Sequence, residues 1–357
     1  MKRLMILTAF CALMAGCSGR TTCSMADAPV RIVGRTATNT DGSVSFDWSG
    51  VYLDIRFSGG YLAIDASDTK RNYFNLTIDG VAQEKIVIEG NRSTIVLFDD
   101  PTNAGDHIIR LQKATEGEQG RTTLYALTTD GQLSAIQERI RRPHIEFYGD
   151  SLTCGYGTES TSGSDPFLPE TENCIYTYAA LTAAHFGADY NLISHSGRGL
   201  IRNYGDSLAV SDPTTTMSGR ALRLFDEDPA SAWDFEQSSY RPDAIVITLG
   251  TNDFSTQPHP TAEQFREGYR TLIERIRTAW GAELPVLCVV HSPYAVACVK
   301  ELVASIDKAA MADISDGVYN RTTDLGASEH PNRYGQAKMA AIVIEEFQKL
   351  TGWAAVE

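Results

Sequence analysis

The chain has 357 residues, 43% of them hydrophobic and 21% charged, and a formal net charge of −14. That length is ample for two domains with substantial cores. The acidity excludes a nucleic-acid backbone as the natural partner, which needs clustered lysine and arginine, and excludes purely electrostatic attachment to anionic lipid; neutral ligands are compatible with it.

The first residues read as an export signal. Lys2 and Arg3 precede an apolar run, Leu4 to Met14, that ends in Ala15-Gly16-Cys17. The run is too short to span a membrane as a mature helix. Small residues before a cysteine resemble the bacterial lipobox. That resemblance implies a signal peptide over 1–16, a lipid on Cys17, and a periplasmic or cell-surface lipoprotein held to the membrane through this lipid alone. Residues 17–28 then read as a polar tether. Beyond Cys11 and Cys17, the cysteines are Cys23, Cys154, Cys174, Cys288 and Cys298. Export permits Cys154–Cys174 and Cys288–Cys298 disulfides, the sequence-local pairings; free buried thiols are the alternative. No Cys-x-x-Cys or His-x-x-x-His pair occurs, so spacing supports no metal site, and no cofactor is implied.

From Val30 to about Leu133 the texture is β. Short runs of β-branched and aromatic residues, at 44–48, 51–57, 61–65, 73–78, 85–88, 93–98, 107–112 and 122–127, are separated by turn signals such as Asp41-Gly42, Gly59-Gly60, Asp79-Gly80 and Asp130-Gly131. This spacing predicts an all-β sandwich over 29–140. Arg141-Arg142-Pro143 is a plausible junction. From there to residue 357, strand-like runs (145–148, 190–194, 244–249, 285–290) alternate with helical ones (176–186, 261–280, 297–310, 336–350). Phe265, Tyr269, Leu272, Ile273 and Ile276 fall on one helical face. Such alternation predicts an α/β domain with a parallel sheet covered on both sides.

Four short blocks lie at the ends of these elements. Gly149-Asp150-Ser151 closes the first strand of the α/β domain, where open sheets bind ligands. Ser196-Gly197-Arg198-Gly199 and Gly250-Thr251-Asn252-Asp253 follow later strands, and His330-Pro331-Asn332 precedes the last helix. A serine hydroxyl needs a base to become a nucleophile, and an acyl-transfer intermediate needs donors aimed at its oxyanion. Ser151 with His330 as base, and the Ser151 N–H, the Gly197 N–H and the Asn252 amide as donors, meet both needs. Taken singly, each block reads equally well as a turn or a cap.

Together, in this order, the blocks resemble the SGNH (GDSL-type) hydrolases over about 145–350. Thr153-Cys154-Gly155-Tyr156-Gly157, Arg202-Asn203-Tyr204-Gly205, Trp233-Asp234-Phe235 and the preceding sandwich resemble carbohydrate esterase family two. That resemblance implies a jelly-roll sandwich followed by a three-layer hydrolase domain. It also implies a carbohydrate esterase that removes O-acetyl groups, commonly from sugar 6-hydroxyls, from acetylated plant polysaccharides or oligosaccharides. Many SGNH hydrolases carry an aspartate three residues before the histidine; here Ala327 stands there, and a backbone carbonyl is the expected orienting group, with neighbouring Glu329 and Asp324 as the side-chain alternatives. Tyr156, Tyr204 and Tyr294 are candidate sugar contacts, or alternatively core or rim tyrosines. Asp150 and Asp253 read as loop-holding residues and His291 as structural. The rival readings are an SGNH esterase, thioesterase or lipase for another acyl group, and a carbohydrate-binding protein of weak or no activity.

Overall fold

The computed structural model describes residues 19–137 and 141–356. The stretch read as a signal peptide, and Cys17 with it, lie outside the described residues. The N-terminal region is built from two antiparallel sheets. The first runs in the order 93–99, 61–68, 122–129, 44–46, 37–38; the second runs 132–134, 52–59, 105–113, 71–78, 81–82. Arg31–Val33 and Ile86–Glu89 add to the second sheet. Side chains from both sheets meet in one buried cluster that includes Leu53, Ile55, Phe57, Ile64, Phe74, Leu111 and Leu127. Along Tyr52–Gly59, Leu53, Ile55 and Phe57 point into that core while Arg56 faces solvent, the period-two pattern of a strand with one dry face.

The stretch read as a tether differs over its described part. Thr21–Ser24 forms a strand antiparallel to 122–129, and Met25 is buried in the sandwich core. Its polar side chains sit at an exposed sheet edge, where backbone pairing and a Thr22–Thr128 hydroxyl bond of 2.9 Å hold the strand, so hydrophobicity carries no sign of it.

The second domain has five parallel strands, β1 (His144–Gly149), β2 (Asp189–Ser194), β3 (Ala244–Thr248), β4 (Val286–Val290) and β5 (Ala309–Asp313), in the order 2-1-3-4-5. β1 to β4 are buried throughout because helices cover both faces. After the single turn α1 (Ser151–Cys154) come α2 (Tyr178–His185), α3 (Ala262–Trp280), α4 (Pro293–Val303) and α5 (Arg333–Thr351). α2 and α5 pack on one face, with Ala179, Ala183, Met339 and Val343 against Phe147 and Val246. α3 and α4 cover the other face, whose core runs on into the sandwich. α3 opens with a Thr261–Gln264 capping box and buries Phe265, Tyr269, Leu272, Ile273 and Ile276 as its periodicity predicts.

The helix expected over 297–310 is instead α4, started by Pro293, followed by the edge strand β5. The run Ala309-Ala310-Met311-Ala312 lacks the β-branched residues that mark strands, and neighbouring β4 imposes its conformation. The domains are joined by buried polar contacts. Fully buried Arg35 donates to Glu146 at 3.0 Å and to the carbonyls of Ala221 and Arg223 at 2.8 and 2.7 Å. Trp48 Nε1 donates to the Leu224 carbonyl at 2.9 Å.

Candidate active site

The sheet order reverses between β1 and β3, which opens a crevice at the carboxyl ends of those strands. Ser151 stands there. Asp150 caps α1 by accepting the Leu152 N–H at 3.1 Å, so the nucleophile candidate is the first residue of a fixed helical turn. Ser151 is 8% exposed, and its Oγ lies 2.8 Å from Nε2 of His330. The other ring nitrogen, Nδ1, is 3.1 Å from the Ser328 carbonyl. A carbonyl only accepts, so Nδ1 carries the proton and the Nε2 lone pair faces the serine hydroxyl. The position three residues before the histidine contributes no side-chain acceptor. Asp324 is engaged with the Asn320 N–H and the Lys338 ammonium instead.

The Ser328 carbonyl reaches the ring because the chain is bent before it. Ser328 and Glu329 have φ of 52° and 62°, a left-handed conformation costing about 1–2 kcal/mol per residue. The Asp165 and Gly163 carbonyls hold the bend by accepting their N–H groups at 2.9 and 3.0 Å. Tyr156 leans on the imidazole with ring centres 4.3 Å apart, and Phe167 stacks behind Tyr156 at 4.0 Å. Burial lowers the His330 pKa below the usual histidine value, partly offset by the Ser328 and Ala327 backbone and by the charge of Glu116.

The oxyanion candidates sit on two loops. His195 to Arg198 is a turn closed by Arg198 N–H to the His195 carbonyl at 3.3 Å, with Gly197 third at φ 75°. This is a type II turn, in which glycine avoids a Cβ clash. Asn252 Nδ2 donates to the Arg198 carbonyl at 3.0 Å and to Asp150 Oδ2 at 3.2 Å. Asn252 therefore ties the Ser151 block to the Gly197 turn. Asp253 accepts the N–H groups of Leu200, Ile201 and Arg202 at 2.8, 2.8 and 3.0 Å. Burial pushes Asp150 up to about 7 and Asp253 up to about 6. Both carboxylates shape loops.

Of the three tyrosines, Tyr156 is at the His330 ring. Tyr204 is 67% exposed and its N–H bonds the Gly197 carbonyl at 2.8 Å. Tyr294 is 66% exposed and packs on Phe254 and His259. His291 sits 2.9 Å from the Tyr319 hydroxyl, and burial together with His330 pushes its pKa down to about 4. Cys154, Cys174, Cys288 and Cys298 are free thiols, so neither local pairing forms. Cys154 Sγ instead lies 3.3 Å from Ser194 Oγ, and Cys174 Sγ 3.3 Å from the Lys113 carbonyl.

Two acceptors at the site had no signal in the sequence. One is the Ser328 carbonyl, because every residue has one. The other is Glu116, a sandwich residue whose carboxylate takes the Ser196 N–H at 2.6 Å. Among the described residues, Glu116, Cys154 and Glu172 lie close enough together to hold a cation, as do Glu116, Glu118 and His195, and His195, Asp226 and Glu227. Arg220 already supplies the positive charge to Asp226 and Glu227, at 2.6 and 2.8 Å. A cavity of about 420 Å³ beside His144, Asp189 and Tyr240 lies at the opposite, amino ends of the strands.

A serine–imidazole pair at the carboxyl edge of a parallel sheet, with glycine and asparagine loops beside it, defines a class of hydrolase. The chain belongs to the GDSL-like lipase/acylhydrolase family, whose pattern matches residues 147–338. Residues 32–136 match the carbohydrate esterase 2 N-terminal family, so the likeness to carbohydrate esterase family two extends over both domains. A cellulase/esterase, CelE, of Acetivibrio thermocellus is 33% identical over 234 residues, 64% of this chain and 27% of that protein. An acetylxylan esterase / glucomannan deacetylase of Cellvibrio japonicus is 30% identical over 235 residues, 66% of this chain and 64% of that protein. The match thus spans less than two thirds of the length of these relatives. Among solved structures, a family two carbohydrate esterase from Clostridium thermocellum in complex with cellohexaose superposes with a TM-score of 0.82 at 27% identity, covering 91% of this chain and 99% of that one. A family two carbohydrate esterase from Cellvibrio japonicus shares the fold, with a TM-score of 0.83 at 23% identity over 94% of this chain and 99% of that one.

Proposed function

We propose that the chain is a carbohydrate acetyl esterase in which Ser151 and His330 form a catalytic dyad. The observation that carries this reading is the 2.8 Å contact of Ser151 Oγ with an Nε2 whose partner nitrogen is tied to a carbonyl. As Ser151 attacks the acetyl carbonyl carbon, His330 Nε2 takes the hydroxyl proton. The carbonyl oxygen becomes an oxyanion and is met by the N–H groups of Ser151 and Gly197. Asn252 joins them by exchanging its longer bond, to Asp150, for the oxyanion. The tetrahedral intermediate collapses, the sugar oxygen leaves with the proton from His330, and an acetyl-serine remains. Water, deprotonated by the same imidazole, attacks that ester, and acetate departs. The Ser328 carbonyl steadies the imidazolium in both halves.

The substrate class is an acetylated polysaccharide or oligosaccharide, most naturally one bearing acetyl groups on sugar 6-hydroxyls. The likeness to an acetylxylan esterase / glucomannan deacetylase and to a structure holding cellohexaose supports this choice over other acyl esters. Exposed Tyr204, next to the Gly197 turn, offers an apolar face for a sugar ring. The reading is tested by chain length on 4-nitrophenyl esters. Acetate is expected to be the best acyl group, with butyrate and longer chains falling steeply; an optimum at octanoate or beyond would overturn it. The Ala15-Gly16-Cys17 stretch further supports a lipid anchor on Cys17. Cys17→Ser is expected to move the expressed protein from the membrane to the soluble fraction, and an unchanged membrane fraction would refute the anchor.

A further inference from the structure

We propose that Glu116, delivered by the β-sandwich, is a positioning residue of the catalytic centre, whose carboxylate holds the turn that carries the Gly197 N–H; this rests on the esterase reading above. Glu116 follows the strand 105–113 and is 1% exposed, yet its side chain crosses into the hydrolase domain. Its Oε2 accepts the Ser196 N–H at 2.6 Å, a short charge-assisted bond. Ser196 is the second residue of the turn whose third residue is Gly197, and whose fourth, Arg198, presents the carbonyl that holds Asn252. One carboxylate therefore sets the placement of two of the three oxyanion donors. The Ser196 hydroxyl is buried without a partner, so the side chain of that residue does not share the task.

Two buried acidic groups crowd this point. Glu172 is fully buried and accepts the Glu116 N–H at 3.2 Å; burial first, and the charge of Glu116 second, push its pKa well up. The Cys154 thiol, 3.4 Å from Glu116 Oε2, is pushed up by burial and by Glu116 in the same way. Lys113 Nζ donates to the Glu116 backbone carbonyl at 2.9 Å, pinning the segment without neutralising its side chain. Burial lowers the His330 pKa, and the Glu116 charge offsets part of that shift, after the Ser328 and Ala327 backbone. Tyr156 leans on the His330 ring, and His291 is coupled to it electrostatically, its pKa pushed down to about 4 by burial first and by His330 second.

Reach and charge separate in two variants. Glu116→Asp keeps the charge and loses the reach. Its kcat on 4-nitrophenyl acetate is expected to fall about 10- to 100-fold with KM within about threefold, because an oxyanion forms only in the transition state. Its acid limb of kcat/KM should stay in place. Glu116→Gln keeps the shape and an acceptor oxygen and loses the charge. Its kcat should fall less, and both its acid limb and the His330 imidazole titration followed by NMR should move to lower pH. Ser151→Ala serves as the reference. If the unaltered protein shows no Ser151-dependent hydrolysis, the esterase reading fails, and the NMR titration still decides whether Glu116 acts on His330. Folded variants that lower the melting temperature alone, with kcat, acid limb and His330 titration unchanged, would overturn the proposal. Should Glu116→Asp fail to fold, the isosteric Glu116→Gln carries the test through its two pH readouts.

Discussion

Gly157 lies far along the chain from His330 but beneath the segment that orients it. Its φ is 63°, and a Cβ there would stand 2.6 Å from the Ala327 Cβ and 2.8 Å from the Ala327 nitrogen. Ala327 is fully buried and precedes the two left-handed residues that present the Ser328 carbonyl. Gly157→Ala therefore combines a backbone cost of about 1–2 kcal/mol with an overpacking cost of about 1–3 kcal/mol, roughly 2–5 kcal/mol in all. Relief requires Ala327 to move by several tenths of an ångström, and the carbonyl and imidazole move with it. A displacement approaching 1 Å at the base costs on the order of 100-fold in rate. Gly90→Ala is the control: its φ is 61°, but nothing lies within 4 Å of the added methyl group. The assay is kcat on an aryl acetate together with a thermal melt for each variant. Gly90→Ala should lower stability by the backbone cost alone, about 1–2 kcal/mol, and leave kcat alone, whereas Gly157→Ala should lower stability further and kcat as well. Equal kcat values in the two variants would refute the claim that this contact sets the geometry of the base.

Other outcomes follow from the same geometry. Burial disfavours the His330 imidazolium, so the ring remains a base as the pH drops; the acid limb of kcat/KM should lie below pH 6.5, and a limb above that value would contradict the assignment. Asn252→Ala should reduce kcat by about 100- to 1000-fold with a small change in KM, measured by steady-state kinetics on a soluble acetate ester. Burial pulls the His195 pKa down, but Asp226, 2.6 Å from Nδ1, pulls it further up, so the net shift is upward. The stability from this pair is fully present below the unfolded histidine pKa and is lost as pH rises through the raised value. The melting-temperature gap between the protein and His195→Gln should therefore narrow as the pH is raised from 6 towards 9; a constant gap would remove the ion pair from the account.

Much of this arrangement is legible in the chain, for identifiable reasons. Leu53, Ile55 and Phe57 alternate with polar residues, and such alternation survives folding because each sandwich sheet has one dry face. Ala244–Thr248 is apolar without interruption because helices cover both sides of it. Ser151, Asn252 and His330 stand out because each follows a strand or precedes a helix with glycine or proline at its side. What is not legible depends on neighbours distant in sequence. Thr21–Ser24 and Ala309–Asp313 are strands through the partner they pair with, not through their own propensity. The partner of His330 Nδ1 is a main-chain oxygen, whose role comes from the φ of Ser328 and Glu329 and leaves no mark in residue type. Glu116 looks like any surface glutamate in a turn until the sandwich docks and brings it 80 positions along the chain to Ser196.

The central claim is that Ser151, activated by His330, cleaves acetyl esters of carbohydrates. The most direct measurement is acetate release from acetylated xylan, acetylated glucomannan and 6-O-acetylated monosaccharides, by the protein and by Ser151→Ala side by side. The account predicts acetate from at least one of these carbohydrates with the unaltered protein and none above background with the folded variant. Equal release by both proteins, or no release from any of the carbohydrates by a folded unaltered protein, would contradict it.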